Sequence, residues 1–344
     1  MTWRAAYFRD RLLNGIGLVA LVWILWWAFD WLIVSAIGWG GDRASCLNAT
    51  GACWPFWAEK WRLMLFGTYP FESHWRPMAA SLILLTLVGV TGCQCARVIF
   101  RFSVSTLSVF WVLGCIVSVI LMAGGIFGLS PVPTTRWNGL PVLLLLAILS
   151  LILALPLGIG LAVARVKSES AVIRIAAAVF VDGMRAIPMV SVLFVGIFVL
   201  PLVFPRQVNL DPMWSTLLVL IVFHAAYVAE DVRAGLESVP AGQSDAALAL
   251  GLTRMQVIRH VVLPQALTQA LPALLNTIIG AYKDTSLVLI LGLFDLVATA
   301  RMAFSDPLWQ RQALEAYVLV GLWFFVSCRF LSWVGRRIDQ SSVR

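Results

Sequence analysis

The sequence predicts an all-α polytopic membrane protein of about eight transmembrane helices. Of 344 residues, 61% are hydrophobic and 12% charged, and the mean hydropathy of +0.91 exceeds what one soluble core needs. The apolar residues fall in runs of ~20 or more, the length that crosses a hydrocarbon slab. None of these runs alternates polar with apolar residues as a barrel strand would, and backbone groups in lipid must be satisfied within the segment. Each run is therefore expected to be a helix.

The first run, 12–39, carries Trp23, Trp26, Trp27 and Trp31. It is longer than the ~7 to 15 apolar residues of a signal peptide and lacks the small residues of a cleavage site, so it is expected to remain as a span. Residues 40–77 form the longest segment between spans. Trp54, Trp57, Trp61, Met64 and Leu65 recur there at helical spacing, Glu59, Lys60 and Arg62 face elsewhere, and Pro55 suits a first turn. The pattern predicts a Trp-anchored helix lying on the outer membrane surface. Cys46 and Cys53, with six residues between them, are expected to close a disulfide in an oxidising compartment; two unpaired thiols are the alternative. Cys93, Cys95, Cys115 and Cys328 read as small buried apolar residues.

Runs 78–99 and 104–129 complete an N-terminal part, 1–139, with three spans. Five more runs, 140–164, 175–204, 214–232, 269–298 and 313–335, make a second part, 140–337, before a tail at 338–344. With both termini cytoplasmic, fifteen Lys and Arg residues, Arg4, Arg97, Arg165, Arg233, Arg254 and Arg336 among them, fall inside. Eight, including Lys60, Arg76 and Arg301, fall outside. This is the positive-inside bias, and it accounts for most of the net charge of +8 without nucleic acid.

The sequence carries few signatures of chemistry. No G-x-x-x-x-G-K-[ST] loop is present to cradle a nucleotide. His74, His224 and His260 are scattered and form no zinc pattern with the cysteines. No catalytic residue, metal or bound cofactor is expected.

The segment 235–265 interrupts the spans with polar helical signals. Pro240, Gly242 and Ser244 are read as ending the preceding helix, and Asp245 as the first-turn acid of a short helix continuing through Ala246, Ala247 and Leu248 to a stop at Gly251. Thr253 and Gln256 make a capping box for a second helix that Pro264 is expected to limit. A helix of two turns is far below the ~12–15 residues at which isolated helices become marginal, so something must hold it. With Leu248, Leu250 and Leu252 available, it suits a partner's groove; an ordinary helical hairpin on its own bundle is the alternative.

This run resembles the EAA loop of ATP-binding-cassette importer permeases, E-A-A, three residues, G, nine residues, I-x-L-P. Here it reads Asp245-Ala246-Ala247, Gly251 and Val261-Val262-Leu263-Pro264, with Asp for Glu and Val for Ile. "AYVAEDVRAGLESVPAGQSDAALALGL" and "LPQALTQALPALLNTIIGAYKDTSLVLILGLFDL" are similar to the polar amino-acid uptake branch. The three N-terminal spans and "GACWPFWAEKWRLMLFGTYPFESHWRP" resemble the larger permease subunit of general L-amino-acid importers. The resemblance implies a type I importer core of five helices at 140–337 in a bacterial inner membrane. It also implies two cytoplasmic ATPase subunits carrying ATP and Mg, a second homologous permease in a heterodimer, and a periplasmic amino-acid-binding protein. The helix at 244–251 would couple ATP binding to alternating access through Ser244, Asp245, Ala246, Ala247, Leu248, Gly251, Leu252 and Pro264.

Polar residues inside spans are costly and often functional. Arg185, Glu230, Lys283, Asp284 and Thr285 are candidates for a substrate path or gate, with ion pairs that merely order the bundle as the alternative. Arg185 opens "RAIP", where the family has R-G-T-P, so any contact made by that threonine is not carried over. An ion-driven secondary transporter would also use broken helices and embedded acids, but it has no ATPase to receive a coupling helix. A non-transporting membrane assembly subunit is the third reading.

Overall fold

The computed structural model describes residues 2–36, 38, 43–47, 50–98, 102–203 and 211–342. Among them the secondary structure is helical, and Gly139 and Asp295 form an isolated parallel bridge. Among these residues seven helices are long and apolar enough to cross a membrane, eight if a bent pair counts as one span.

The chain divides into two compact units, one of Met1–Arg62 with Arg301–Leu319 and one of Leu63–Ala300 with Val320–Arg344. In the first, α1 (Thr2–Phe29) widens into a π-turn over Asp30–Val34. Asp30 accepts a hydrogen bond from the Ser35 hydroxyl at 3.0 Å, so this lone acid in the span serves a local turn. A short α2 (Arg43–Leu47) carries Cys46, which is disulfide-bonded to Cys53 with 5.7 Å between Cα atoms.

The helix expected on the outer membrane surface is α3 (Trp54–Phe66); Trp61 on it is 40% exposed, and several of its other aromatic residues make protein contacts. Phe56 is fully buried and packs 5.6 Å from the Trp309 ring. Trp54 donates to the Leu32 carbonyl at 3.2 Å and Trp57 to the Glu315 carbonyl at 2.9 Å. Buried indoles find partners for their N–H groups, and here those partners are backbone oxygens. Glu315 also accepts from the Cys53 amide at 3.1 Å. Burial opposes the Lys60 ammonium, yet hydrogen bonds to Asp306 at 2.8 Å and to Glu59 hold its pKa above the ordinary lysine value.

In the second unit, α4 (Trp75–Cys95) pairs with α5 (Val104–Ala123). The expected run to 129 stops early because Gly124 and Gly125 adopt positive φ. The core is α6 (Leu140–Lys167), α7 (Ala171–Ala186), α8 (Met189–Val203), α9 (Pro212–Ser238) and a long helical run Arg254–Leu291. The span expected at 175–204 is broken: α7 and α8 meet at 105°. Ile187 is extended at φ −97°, ψ 134°, because Pro188 bars the α conformation from the residue before it.

Asp211 caps α9 by accepting from the Met213 amide at 2.9 Å. This helix is the centre of the unit, packing on α6, α7 and α12 (Leu263–Asp284). Gly235 permits the closest approach, since a Cβ there would run into the Ala266 carbonyl. The seventh span ends sooner than 298, in a tight turn over Thr285–Leu291 stopped by Gly292 at φ +81°. After α13 (Leu296–Phe304), α14 (Ala313–Ser342) closes the described chain.

Candidate functional site

Two places gather the polar residues singled out by the sequence, and both lie in the second unit. At the end of α9, Ser238 gives way to Val239 and Pro240, and α10 runs from Ala241 to Ala249. This corrects the expected start. Pro240 occupies the cap position and Gly242 and Ser244 are helical, so Asp245 lies beyond the first turn on an exposed face.

The C-terminal stop is as expected. Gly251 adopts φ +84°, its amide donates to the Leu248 carbonyl at 2.9 Å, and the Leu252 amide donates to the Ala247 carbonyl at 3.3 Å. That pair of reversed bonds is the Schellman arrangement, which satisfies carbonyls at the helix end. Thr253 and Gln256 then form the capping box of α11 (Arg254–Val257). Pro264 does not limit the second helix. A π-turn at Ile258–Val262 absorbs the proline, and the helix continues through it to Leu291.

One edge of α10 fastens the loop. Ala247 and Leu252 join a core cluster with Val232, Leu236, Val257 and Val262. Away from that edge two leucines are uncovered: Leu248 is 44% and Leu250 84% exposed. Two faces with opposite burial on a nine-residue helix leave a projecting leucine edge held from behind.

The second place is a cavity of about 660 Å³ where α7, α8, α9 and α12 meet. Arg185, Ala186, Ile187 and Pro188 form the wall at the α7–α8 break, His224 and Tyr227 contribute from α9, and Asn276, Thr277 and Asp284 from α12. Ala186 and Ile187 are thus wall residues, and this chain presents alkyl surface there.

Of the five path or gate candidates, Arg185 and Asp284 line the cavity. Glu230 lies behind the wall, 3.2 Å from Arg185. Lys283 and Thr285 do not line it: Lys283 is exposed elsewhere, and Thr285 is buried with its hydroxyl on the Tyr282 carbonyl. Three contributors escaped the sequence reading. His224 is 2% exposed and 3.6 Å from Asp284, with neither ring nitrogen hydrogen-bonded. Tyr227 lies under the Arg185 guanidinium at 5.7 Å. Thr277 donates to Asp231 at 2.6 Å. A lone histidine four residues after Leu220 on an apolar helix looks like core, and only the fold sets it opposite an acid.

Residues 154–343 match the family described as binding-protein-dependent transport system inner membrane component. The chain is 36% identical over 336 residues to the inner membrane amino-acid ABC transporter permease protein YhdY of Escherichia coli strain K12, covering 95% of this chain and 89% of that one. It is 27% identical to the glutamate/glutamine/aspartate/asparagine transport system permease protein BztC of Rhodobacter capsulatus, covering 93% and 89%. The crystal structure of an amino acid ABC transporter with histidines superposes with a TM-score of 0.51 at 26% identity, covering 58% of this chain and 90% of that one.

Proposed function

The chain belongs to the family of binding-protein-dependent transport system inner membrane components, and from that premise we infer that it is the permease subunit of an importer carrying L-amino acids across the bacterial inner membrane. In this reading the chain hydrolyses no nucleotide. Two ATPase subunits with ATP and Mg act from the cytoplasm, a second homologous permease completes a heterodimer, and a periplasmic binding protein delivers cargo. Both termini are cytoplasmic, and alternating access exposes the path to each side in turn.

The observation that carries the coupling step is the leucine edge of α10. Ala247 and Leu252 tie it to the α9–α12 core, while Leu248 and Leu250 are 44% and 84% exposed. An apolar edge of that kind fits a hydrophobic groove on a partner. Motion of the partner would reach α9 and α12, which form the cavity wall.

Cross-linking tests this reading. A Leu250→Cys variant lacking Cys93, Cys95, Cys115 and Cys328 is expected to form a disulfide with a groove cysteine on the ATPase subunit in the assembled complex. Labelling of that cysteine by an impermeant thiol reagent from the periplasmic side would reject the assignment.

A further inference from the structure

The cation in the cavity wall is tied to a carboxylate whose two oxygens are already hydrogen-bonded by another arginine. Arg233 donates to Glu230 twice, from Nε at 3.0 Å and Nη2 at 2.6 Å, within the same helix. Arg165 stands 3.5 Å from Glu230 but is itself bound to Asp182 through two bonds of 2.8 and 3.1 Å. Arg233 is shared with Glu237 through Nη1 at 2.5 Å, and Arg185 makes one 3.2 Å contact with a Glu230 carboxylate whose two oxygens already accept from Arg233, so Arg185 is the more loosely held partner. Its side chain is 35% exposed and faces the cavity beside Tyr227.

We propose that Arg185 is a specificity-determining residue that takes the carboxylate of a cargo amino acid in exchange for Glu230. Arg–carboxylate pairing is retained on both sides of the exchange, because one carboxylate replaces another on a guanidinium suited to bidentate contact. Glu230 keeps Arg233 throughout. The wall also carries the opposite pole: Asp284, 3.6 Å from the His224 ring, offers a site for the ammonium group of a zwitterion. A cavity of about 660 Å³ holds one amino acid.

The exchange has a mechanical consequence. The Arg185–Glu230 contact ties α7 to α9 two residues before the extended Ile187. Cargo that takes Arg185 releases that tie at the break between α7 and α8. Cargo occupancy is thereby converted into freedom of the helix pair that bends by 105°.

The inference rests on the amino-acid importer reading, and the test separates the two. The complex is reconstituted with its ATPase and binding protein and offered each of the twenty ¹⁴C-labelled L-amino acids, the fastest serving as probe. ATP-independent or absent uptake by the wild type overturns the importer reading itself. Given wild-type uptake, Arg185→Gln is expected to raise the uptake KM at least tenfold without changing cargo affinity of the isolated binding protein, and Arg185→Lys to recover part of it. Glu230→Gln, which loosens the tie permanently and removes the carboxylate that competes with cargo for Arg185, is expected to raise cargo-free ATPase activity about threefold or more and to lower KM. An Arg185→Gln KM within twofold of wild type overturns the proposal. Should that variant fail to assemble, unaltered cargo-free ATPase activity in Glu230→Gln overturns it equally.

Discussion

Gly251→Val is expected to reduce ATP-driven uptake at least tenfold while the spans still insert. At φ +84° only glycine is free of strain, and a β-branched residue there costs about 1–3 kcal/mol. No atom lies within 4 Å of the Cβ position, so the penalty is wholly in the backbone. It falls on a helix of nine residues secured through Ala247 and Leu252. Losing the two reversed bonds at Ala247 and Leu248 would turn the leucine edge away from its partner. Uptake and binding-protein-stimulated ATPase activity should fall together, with membrane levels of the chain unchanged. Asp245→Ala should be much milder, since that exposed acid stands past the first turn, where the helix dipole has faded.

Arg76→Leu is expected to have the largest effect on stability, about 3–5 kcal/mol. Arg76 is 1% exposed and donates to the carbonyls of Leu121 at 2.6 Å, Ser130 at 2.9 Å and Met122 at 3.4 Å. Leu121 and Met122 belong to the last turn of α5, whose carbonyls have no intrahelical partners and whose dipole favours a cation. The Tyr69 hydroxyl adds a bond to Met122 at 3.0 Å; burial pushes that phenol up to about 12, with the Arg76 charge opposing. Leucine would take the donor from the Ser130 carbonyl and leave the Leu121 and Met122 carbonyls to share the Tyr69 hydroxyl. Thermal unfolding in detergent should show a large drop in midpoint, with Arg76→Lys intermediate because it keeps the charge and loses the planar fork.

Local chemistry was legible in the sequence. Gly251, Thr253 and Gln256 act within one turn of themselves, so the stop and the capping box follow from residue type and spacing. The spans follow from apolar run length, because lipid imposes that length. Pro188 bends a continuous apolar run, and the direction taken after Ile187 depends on how α8 packs. The tryptophans of α3 have a spacing that suits a membrane surface and a protein groove equally, and the bond from Trp57 to the carbonyl of Glu315, 258 residues away, is one that no local pattern announces. The cavity was the least legible. Arg185 with Glu230, and His224 with Asp284, are pairs brought together by helix packing, and no local pattern joins them.

Uptake with ATP as the sole energy source tests the central claim most directly. Proteoliposomes holding the complex, with binding protein and labelled L-amino acid on the periplasmic face and ATP on the cytoplasmic face, should transfer label to the ATP side. That transfer should require both ATP and binding protein and persist when an ionophore collapses proton and sodium gradients. Transfer that continues without ATP and disappears with the ionophore would contradict the account.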